Sequence, residues 1–230
     1  MSASRAMILA AGLGTRLRPL TLTTPKPLLP VCGRPLIDYA LQQLSAAGVT
    51  EVMINLHHLG EQIAEHIGDG HRFGLAVRYS RESTMLGTGG GLKAAESFLR
   101  NDPFLVVNGD TLSDLSLHHV LQRDGMPCDA AATLVVRRRP RTSSYTALDV
   151  AADGTLRAFG RGDFHYTGVM IGTSRLLAQL PPGISCLVAD GLRPLLAAGG
   201  RIMTYVHEGY WNDIGTPERY AAAQREWPAG

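Results

Sequence analysis

Of the 22 lysines and arginines in this 230-residue chain, only two are lysines, and Lys26 stands between Pro25 and Pro27. Proline fixes its own φ and restricts the residue before it, so the segment adapts poorly and the ammonium is aimed rather than floppy. Upstream, Gly12 and Gly14 let the backbone turn tightly and approach a ligand, offering N–H groups to anionic oxygens. Arg16 and Arg18 add fork-shaped donors. Together these residues have the chemistry to grip phosphate. The bland alternative is a glycine turn with solvated arginines and a surface lysine.

The elements around this stretch say where it sits. AMILA (6–10) reads as a buried strand, and PLIDYALQQLSAAG (35–48) as a helix opened by Pro35 and closed at Gly48. EVMIN (51–55), LAVRYS (75–80) and PFLVVNGD (103–110) read as further strands, with GEQIAEHIG (60–68) and GGLKAAESFL (90–99) as helices between them. Strands alternating with helices argue for βαβ units and a mainly parallel sheet. Ligands of such sheets bind beyond the carboxyl ends of the strands, which is where the glycine stretch falls.

The second half is less regular. Strands are expected at 130–138, 145–160 and 165–173, with Asp153-Gly154 as a hairpin turn. Helices are expected at 175–180, 188–199 and 217–227, and a strand at 201–208. No linker or repeat divides the chain, so residues 1–230 read as one α/β domain with an appended antiparallel part.

Composition excludes several classes. A net charge of +2 is too small to imply nucleic acid or an anionic membrane surface. The cysteines, Cys32, Cys128 and Cys186, are odd in number and far apart, which supports neither a zinc site nor a disulfide framework. A reducing cytoplasm is the simplest compartment. The N-terminal apolar stretch is too short for a signal peptide and runs straight into Arg16 and Arg18. No run approaches a membrane span. Leu17 stands where a Rossmann fingerprint needs glycine, no Gly-Lys-Ser/Thr follows, and Asn55 stands where a dinucleotide site needs an acid.

The stretch LAAGLGTRLRPLTLTTPKPL resembles the signature of the sugar 1-phosphate nucleotidyltransferases, which join a nucleoside triphosphate to a sugar 1-phosphate and release pyrophosphate. VNGD (107–110) and YWNDIGTPERY (210–220) follow in the order that family shows, so the resemblance covers nearly the whole chain. It implies a single Rossmann-like, GT-A-like domain with a mainly parallel sheet and a smaller antiparallel sugar-binding part. It is most similar to short bacterial uridylyl- and guanylyltransferases, without the C-terminal β-helix of longer members.

By the same resemblance, Leu9, Ala10, Ala11 and Gly12 flank the base and ribose. Gly14, Thr15 and Arg16 hold the departing phosphates, and Lys26 lies near the reacting α-phosphorus, so Arg16 and Lys26 are the catalytic pair. Thr88, Gly89 and Gly90 of LGTGGG (86–91) read the nucleobase. Asn108 and Gly168 contact the sugar substrate, and Asp110 and Asp213 are the Mg²⁺ ligands. One or two carboxylates plus substrate phosphates is the usual magnesium arrangement. A carboxylate ending an apolar strand, as Asp110 does, needs such a partner.

One departure stands out. Many relatives carry a Glu-Lys-Pro segment before the sugar strand, but AFGRGDFHYTG (158–168) has no lysine. Arg161, flanked by Gly160 and Gly162, is the candidate substitute ahead of Arg157; the alternative is a surface-turn arginine, with the anion left to the metal and the backbone around Gly168. His57-His58 and His118-His119 have no third metal ligand nearby, and RRRPR (137–141) reads as a solvated strand end or an anion funnel. The expected reaction is Mg²⁺-dependent nucleotidyl transfer to a sugar 1-phosphate, with UTP ahead of GTP; oligomeric state is not legible. Transfer to phosphocholine is an alternative, although it needs a cage that 6% aromatic residues do not reveal. A catalytically inactive nucleotide sensor is another.

Overall fold

Met7 of the first strand, β1 (Arg5–Leu9), faces one side of a large sheet, and Ala6 and Ile8 face the other, all fully buried. Burial on both faces is why its sequence is a continuous apolar run. The computed structural model describes residues 3–100, 103–122, 127, 129–140 and 143–227. Cys128 and Arg141 lie outside the described residues.

A two-strand ladder, β2 (Pro30–Val31) and β3 (Arg34–Pro35), follows the Pro-Lys-Pro segment. Then come β4 (Glu51–Leu56), β5 (Ala76–Arg81), β6 (Phe104–Asn108) and β7 (Thr111–Ser113). The second half adds β8 (Ala130–Arg138), β9 (Leu148–Val150), β10 (Leu156–Phe159) and β11 (Phe164–Gly172). The last strands are β12 (Arg201–Val206) and β13 (Trp211–Asp213).

Among the described residues nine strands form one sheet, ordered β10-β9-β11-β6-β1-β4-β5, with β8 on β11 and β12 on β8. β1 pairs in parallel with both β4 and β6, and β4 with β5. β11 runs antiparallel to β6 and β8. The expected parallel sheet with an antiparallel extension is therefore present. The chain leaves β1 for β4 on one side and β6 on the other, which opens a crevice at the carboxyl ends of all three.

Helices cover both faces. α1 (Leu36–Ala46) and α2 (Gly60–Ile67) pack Ile37, Leu41, Leu44, Ile63 and Ile67 against the Ile8 side. α3 (Gly87–Ala94), α4 (Glu96–Leu99), α6 (Ser174–Gln179) and α7 (Arg193–Ala197) cover the Met7 side, while α5 (Leu117–Gln122) joins the first group. α8 (Pro217–Glu226) starts at Thr216, whose side chain caps it. No helix among the described residues is long and apolar enough to cross a membrane.

Two expectations are corrected. The helix read at 90–99 begins at Gly87 and breaks at Ala95 into α3 and α4. The helix read at 188–199 is a wide π-type turn over Leu187–Leu192 followed by α7.

A third, small core bears directly on the site. Leu17 packs with Leu29, Val31 and Leu36 and meets Leu112 of β7, Ile214 after β13 and Ala223 of α8. Fully burying a leucine contributes roughly 1.5–3 kcal/mol. This cluster holds the glycine-arginine stretch, the Pro-Lys-Pro segment and both aspartate-bearing strands in one register.

Candidate active site

Gly14 takes φ 62°, and a short 3₁₀ turn, Thr15–Leu17, follows it. A Cβ at Gly14 would lie 2.9 Å from the Thr21 methyl, so the position demands glycine twice over, by conformation and by space. Thr21 Oγ1 donates to the Gly14 carbonyl at 2.8 Å, and the His58 ring meets the Thr21 carbonyl at 3.1 Å. His58 is thus a pin for this loop. His57 likewise meets the Glu82 carbonyl at 2.8 Å.

Lys26 heads another 3₁₀ turn, Lys26–Leu28, and is nearly buried. Its Nζ lies 2.5 Å from Asp110 Oδ2, at the end of β6. β7 and β13 pair antiparallel with Asp213 opposite Thr111, and the Ile214 N–H donates to the Asp110 carbonyl at 3.1 Å. Asp110, in the turn between β6 and β7, is therefore held beside Asp213 of β13. Asp213 Oδ1 accepts from the Arg219 guanidinium, which also meets the Tyr145 hydroxyl.

Two connected cavities share Gly12, Lys26, Met85 and Asp110. The first, about 200 Å³, has Leu9, Ala10, Ala11, Asn55, Thr88 and Asn108 in its wall. The second, about 310 Å³, runs along Gly14, Thr15 and Arg16 to Gly215. The structure brings Leu9, Ala10, Ala11, Gly12, Gly14, Thr15, Arg16, Lys26 and Thr88 to one crevice. Its lower wall depends on Asn55, whose Oδ1 accepts from the Ala10 N–H at 2.8 Å and whose Nδ2 donates to Glu82 Oε1 at 2.8 Å. Glu82 Oε2 accepts from the Leu86 N–H at 2.9 Å. A Cβ at Gly91 would come within 2.9 Å of Asn55, so that glycine makes room for the bracket.

Gly89 and Gly90 are placed elsewhere. They line neither cavity, and both N–H groups point to the Ser185 carbonyl, at 2.9 and 3.3 Å. A Cβ at Gly90 would lie 2.1 Å from the Gly183 carbonyl oxygen. These glycines seat α3 on the 183–187 segment, and Thr88 joins them there by accepting from the Leu187 N–H at 2.9 Å. Gly87 and Thr88 are the members of LGTGGG that reach the cavity.

On the antiparallel side, β11 slips register against β8 between Tyr166 and Met170. Gly168 lies in this bulge at φ 87°, where a Cβ would come 2.5 Å from Asn108 Nδ2. Bulges of this kind re-aim side chains next to active sites. Asn108 and Gly168 are thereby in contact. Beside them lies an aromatic cluster that composition did not reveal. Tyr145 stacks on His165 at 4.6 Å, His165 meets Trp211 at 4.9 Å, and Trp211 Nε1 donates to the Thr167 carbonyl at 2.9 Å. Burial lowers the His165 pKa, and burial raises that of Tyr145 against the pull of the Arg219 and Arg16 cations.

Arg161 is 74% exposed in the turn before β11 and pairs with Asp149 at 3.4 Å, while Arg157 is exposed on β10. Neither lines the two cavities. Lys93 is committed to the Leu177 carbonyl at 3.0 Å and Glu96 at 2.9 Å. Arg139, from the basic run, donates to the carbonyls of Tyr145 and Ser143 at 2.8 and 2.6 Å. It anchors the Tyr145 loop. Asn55 in the cavity wall, and Glu82, Tyr145, His165 and Arg219 beside it, were not singled out from sequence, although Arg219 stood inside a motif already noted.

The two carboxylates offer oxygen donors only and are partly open to solvent, which suits a hard divalent cation. Among the described residues no group of three or more His, Cys, Asp or Glu converges on a metal position. Any remaining ligands would come from substrate phosphates or water.

A family model described as Nucleotidyl transferase matches residues 5–160. Over 224 residues the chain is 38% identical to the N-acetylmuramate alpha-1-phosphate uridylyltransferase of Neisseria meningitidis, covering 96% of each. It is 33% identical to the mannose-1-phosphate guanylyltransferase of Mycobacterium tuberculosis, over 98% of this chain but only 65% of that enzyme's length. Among solved structures, HddC from Yersinia pseudotuberculosis, complexed with GMP-PN, superposes with a TM-score of 0.80 at 25% identity, covering 96% of this chain and 98% of that one.

Proposed function

Since the chain belongs to the nucleotidyl transferase family and is a nucleotidyltransferase, we propose that it transfers the uridylyl group of UTP to N-acetylmuramate α-1-phosphate. Pyrophosphate leaves, and the reaction requires Mg²⁺. The observation that carries this substrate pair is the match to the Neisseria uridylyltransferase over 96% of both chains, where the guanylyltransferase relative extends well beyond the match.

The chemistry asks little covalent work of the protein. An oxygen of the sugar phosphate bonds to the α-phosphorus of UTP, and the bond from that phosphorus to the α–β bridging oxygen breaks. Phosphate monoesters have a second pKa of about 6, so at neutral pH the attacking oxygen already lacks its proton. No general base is needed, and among the described residues lining the two cavities there is no histidine or glutamate. The tasks are alignment and charge neutralisation.

Asp110 and Asp213 would hold Mg²⁺, which supplies positive charge to the phosphates when bound. Lys26 stands at the junction of the two cavities, next to the expected position of the α-phosphate. Arg16, whose guanidinium closely approaches Gly215, lies in the second cavity toward the departing phosphates. The Asn55–Glu82 bracket holds the Ala10 backbone against the nucleoside. Asn108 and Gly168 form the acceptor wall.

Phosphocholine is a poorer acceptor for this site. The rings of Tyr145, His165 and Trp211 pack on one another, and Arg219 stands 5.0 Å over Tyr145, where a quaternary ammonium would have to sit. A pyrophosphate-release panel of UTP, GTP, CTP, ATP and dTTP against sugar 1-phosphates and phosphocholine tests the proposal. UTP with N-acetylmuramate α-1-phosphate should give the highest kcat/KM. A preference for GTP with mannose 1-phosphate would move the chain to the guanylyl branch.

A further inference from the structure

Resting on that reaction, we propose that Arg219 is an exchangeable counter-ion, neutralising Asp213 before substrates bind and then receiving the phosphate of the incoming sugar 1-phosphate. The site must collect a triphosphate and a second phosphate, so a cation beside the acceptor phosphate, in addition to Mg²⁺, Lys26 and Arg16, would lower the cost of bringing the two anions together. Lys93 is committed to a carbonyl and Glu96, and Arg161 is paired with Asp149 at an exposed turn. Arg219 is paired with Asp213 and stands against the aromatic cluster beside the Gly168 bulge.

That placement follows from a chain of contacts. The Arg219 guanidinium bonds Asp213 and the Tyr145 hydroxyl, and its centre stands 5.0 Å over the Tyr145 ring. Tyr145 stacks on His165, and Trp211 is tied to the Thr167 carbonyl, one residue from Gly168. The guanidinium and Asp213 are thereby linked, through the Tyr145–His165–Trp211 cluster, to the strand segment that carries the Gly168 bulge.

The backbone of Arg219 is held in place. Its N–H donates to the Thr216 cap at 3.4 Å, and its carbonyl accepts from Asn212 Nδ2 at 3.0 Å. Helix stability does not explain the residue, because the first turn of a helix favours acids and disfavours cations. Both side-chain hydrogen bonds among the described residues use Nη1. Nε and Nη2 remain to grip a phosphate edge in the bidentate manner that suits arginine.

The exchange makes charge sense. In the structure Asp110 is paired with Lys26 and Asp213 with Arg219. Arg219 gives up Asp213 to a divalent cation and finds its new anion in the acceptor phosphate, so neither side chain is left without a counter-charge.

The experiment has two arms. Mn²⁺ binding to the substrate-free protein, followed by electron paramagnetic resonance, should be roughly fivefold or more tighter in Arg219→Gln than in wild type, because the competing cation is gone. In steady-state kinetics the same variant should raise KM for the sugar 1-phosphate about tenfold or more while changing KM for UTP less than about twofold. Arg219→Lys, which keeps the charge without the fork, should recover part of that loss. Normal circular dichroism for both variants establishes that they fold. Equal Mn²⁺ affinity, or an unchanged KM for the sugar phosphate, overturns the role of Arg219 alone. Absence of wild-type turnover with every sugar 1-phosphate instead removes the reaction itself.

Discussion

Lys26 Nζ and Asp110 Oδ2 are 2.5 Å apart, joining the Pro-Lys-Pro segment to the end of β6 across 84 positions of sequence. The pair fixes the ammonium where both cavities meet. Lys26→Ala and Lys26→Arg should each lower kcat by about 10²-fold or more, since a group that acts on charge developing in the transition state contributes on that scale. KM for the nucleotide should move far less. A variant with near-normal kcat and only a raised KM would show that Lys26 serves binding alone.

Asp110→Asn and Asp213→Asn should each abolish turnover while leaving the circular dichroism spectrum unchanged. Asparagine keeps the size and loses the charge that a hard cation requires. Wild-type activity surviving exhaustive chelation contradicts the assignment of both residues.

Gly168→Ala tests the acceptor wall. At φ 87°, with Asn108 Nδ2 2.5 Å from the new methyl, alanine is strained and crowded at once. A loss of more than about 1 kcal/mol in urea unfolding is expected. The residual enzyme should show a raised KM for the sugar phosphate. Unchanged stability would mean that the bulge is not needed to hold this strand.

Burial lowers the His165 pKa below its ordinary 6.5, helped by the neighbouring Arg137, Arg139 and Arg219 and opposed by the Tyr166 carbonyl. A lowered histidine pKa means that the unfolded chain binds more protons, so stability rises with pH. The contribution is full above about pH 6.5, the unfolded value, and is lost as pH falls through the folded value. His165→Gln should flatten the slope of Tm against pH below 6.5. An identical slope in the variant contradicts the idea that the stacked ring stays neutral.

The parallel half was legible because each element states its own pattern: Arg5–Leu9 is apolar throughout, and Pro35 and Gly48 bracket a helix. Gly14, Lys26 and Asp110 were legible for a related reason, since local backbone chemistry marks each of them. Arg219 and the Tyr145–His165–Trp211 cluster were not, because residues 66 positions apart meet only once β11 and β13 have been brought together by the fold. The glycines of LGTGGG misled for the opposite reason. Gly89 and Gly90 allow close approach, as glycines do, but what approaches is the 183–187 backbone rather than a ligand. Sequence shows that room has been made and not for what.

Phosphorus-31 NMR of UTP, N-acetylmuramate α-1-phosphate, Mg²⁺ and catalytic protein tests the central claim most directly. The three UTP resonances and the sugar phosphate resonance should decline together, replaced by the paired resonances of a UDP-sugar and one of pyrophosphate in equal molar amounts. Accumulation of inorganic phosphate or UMP with the sugar phosphate unconsumed would contradict nucleotidyl transfer and make the crevice a hydrolytic site.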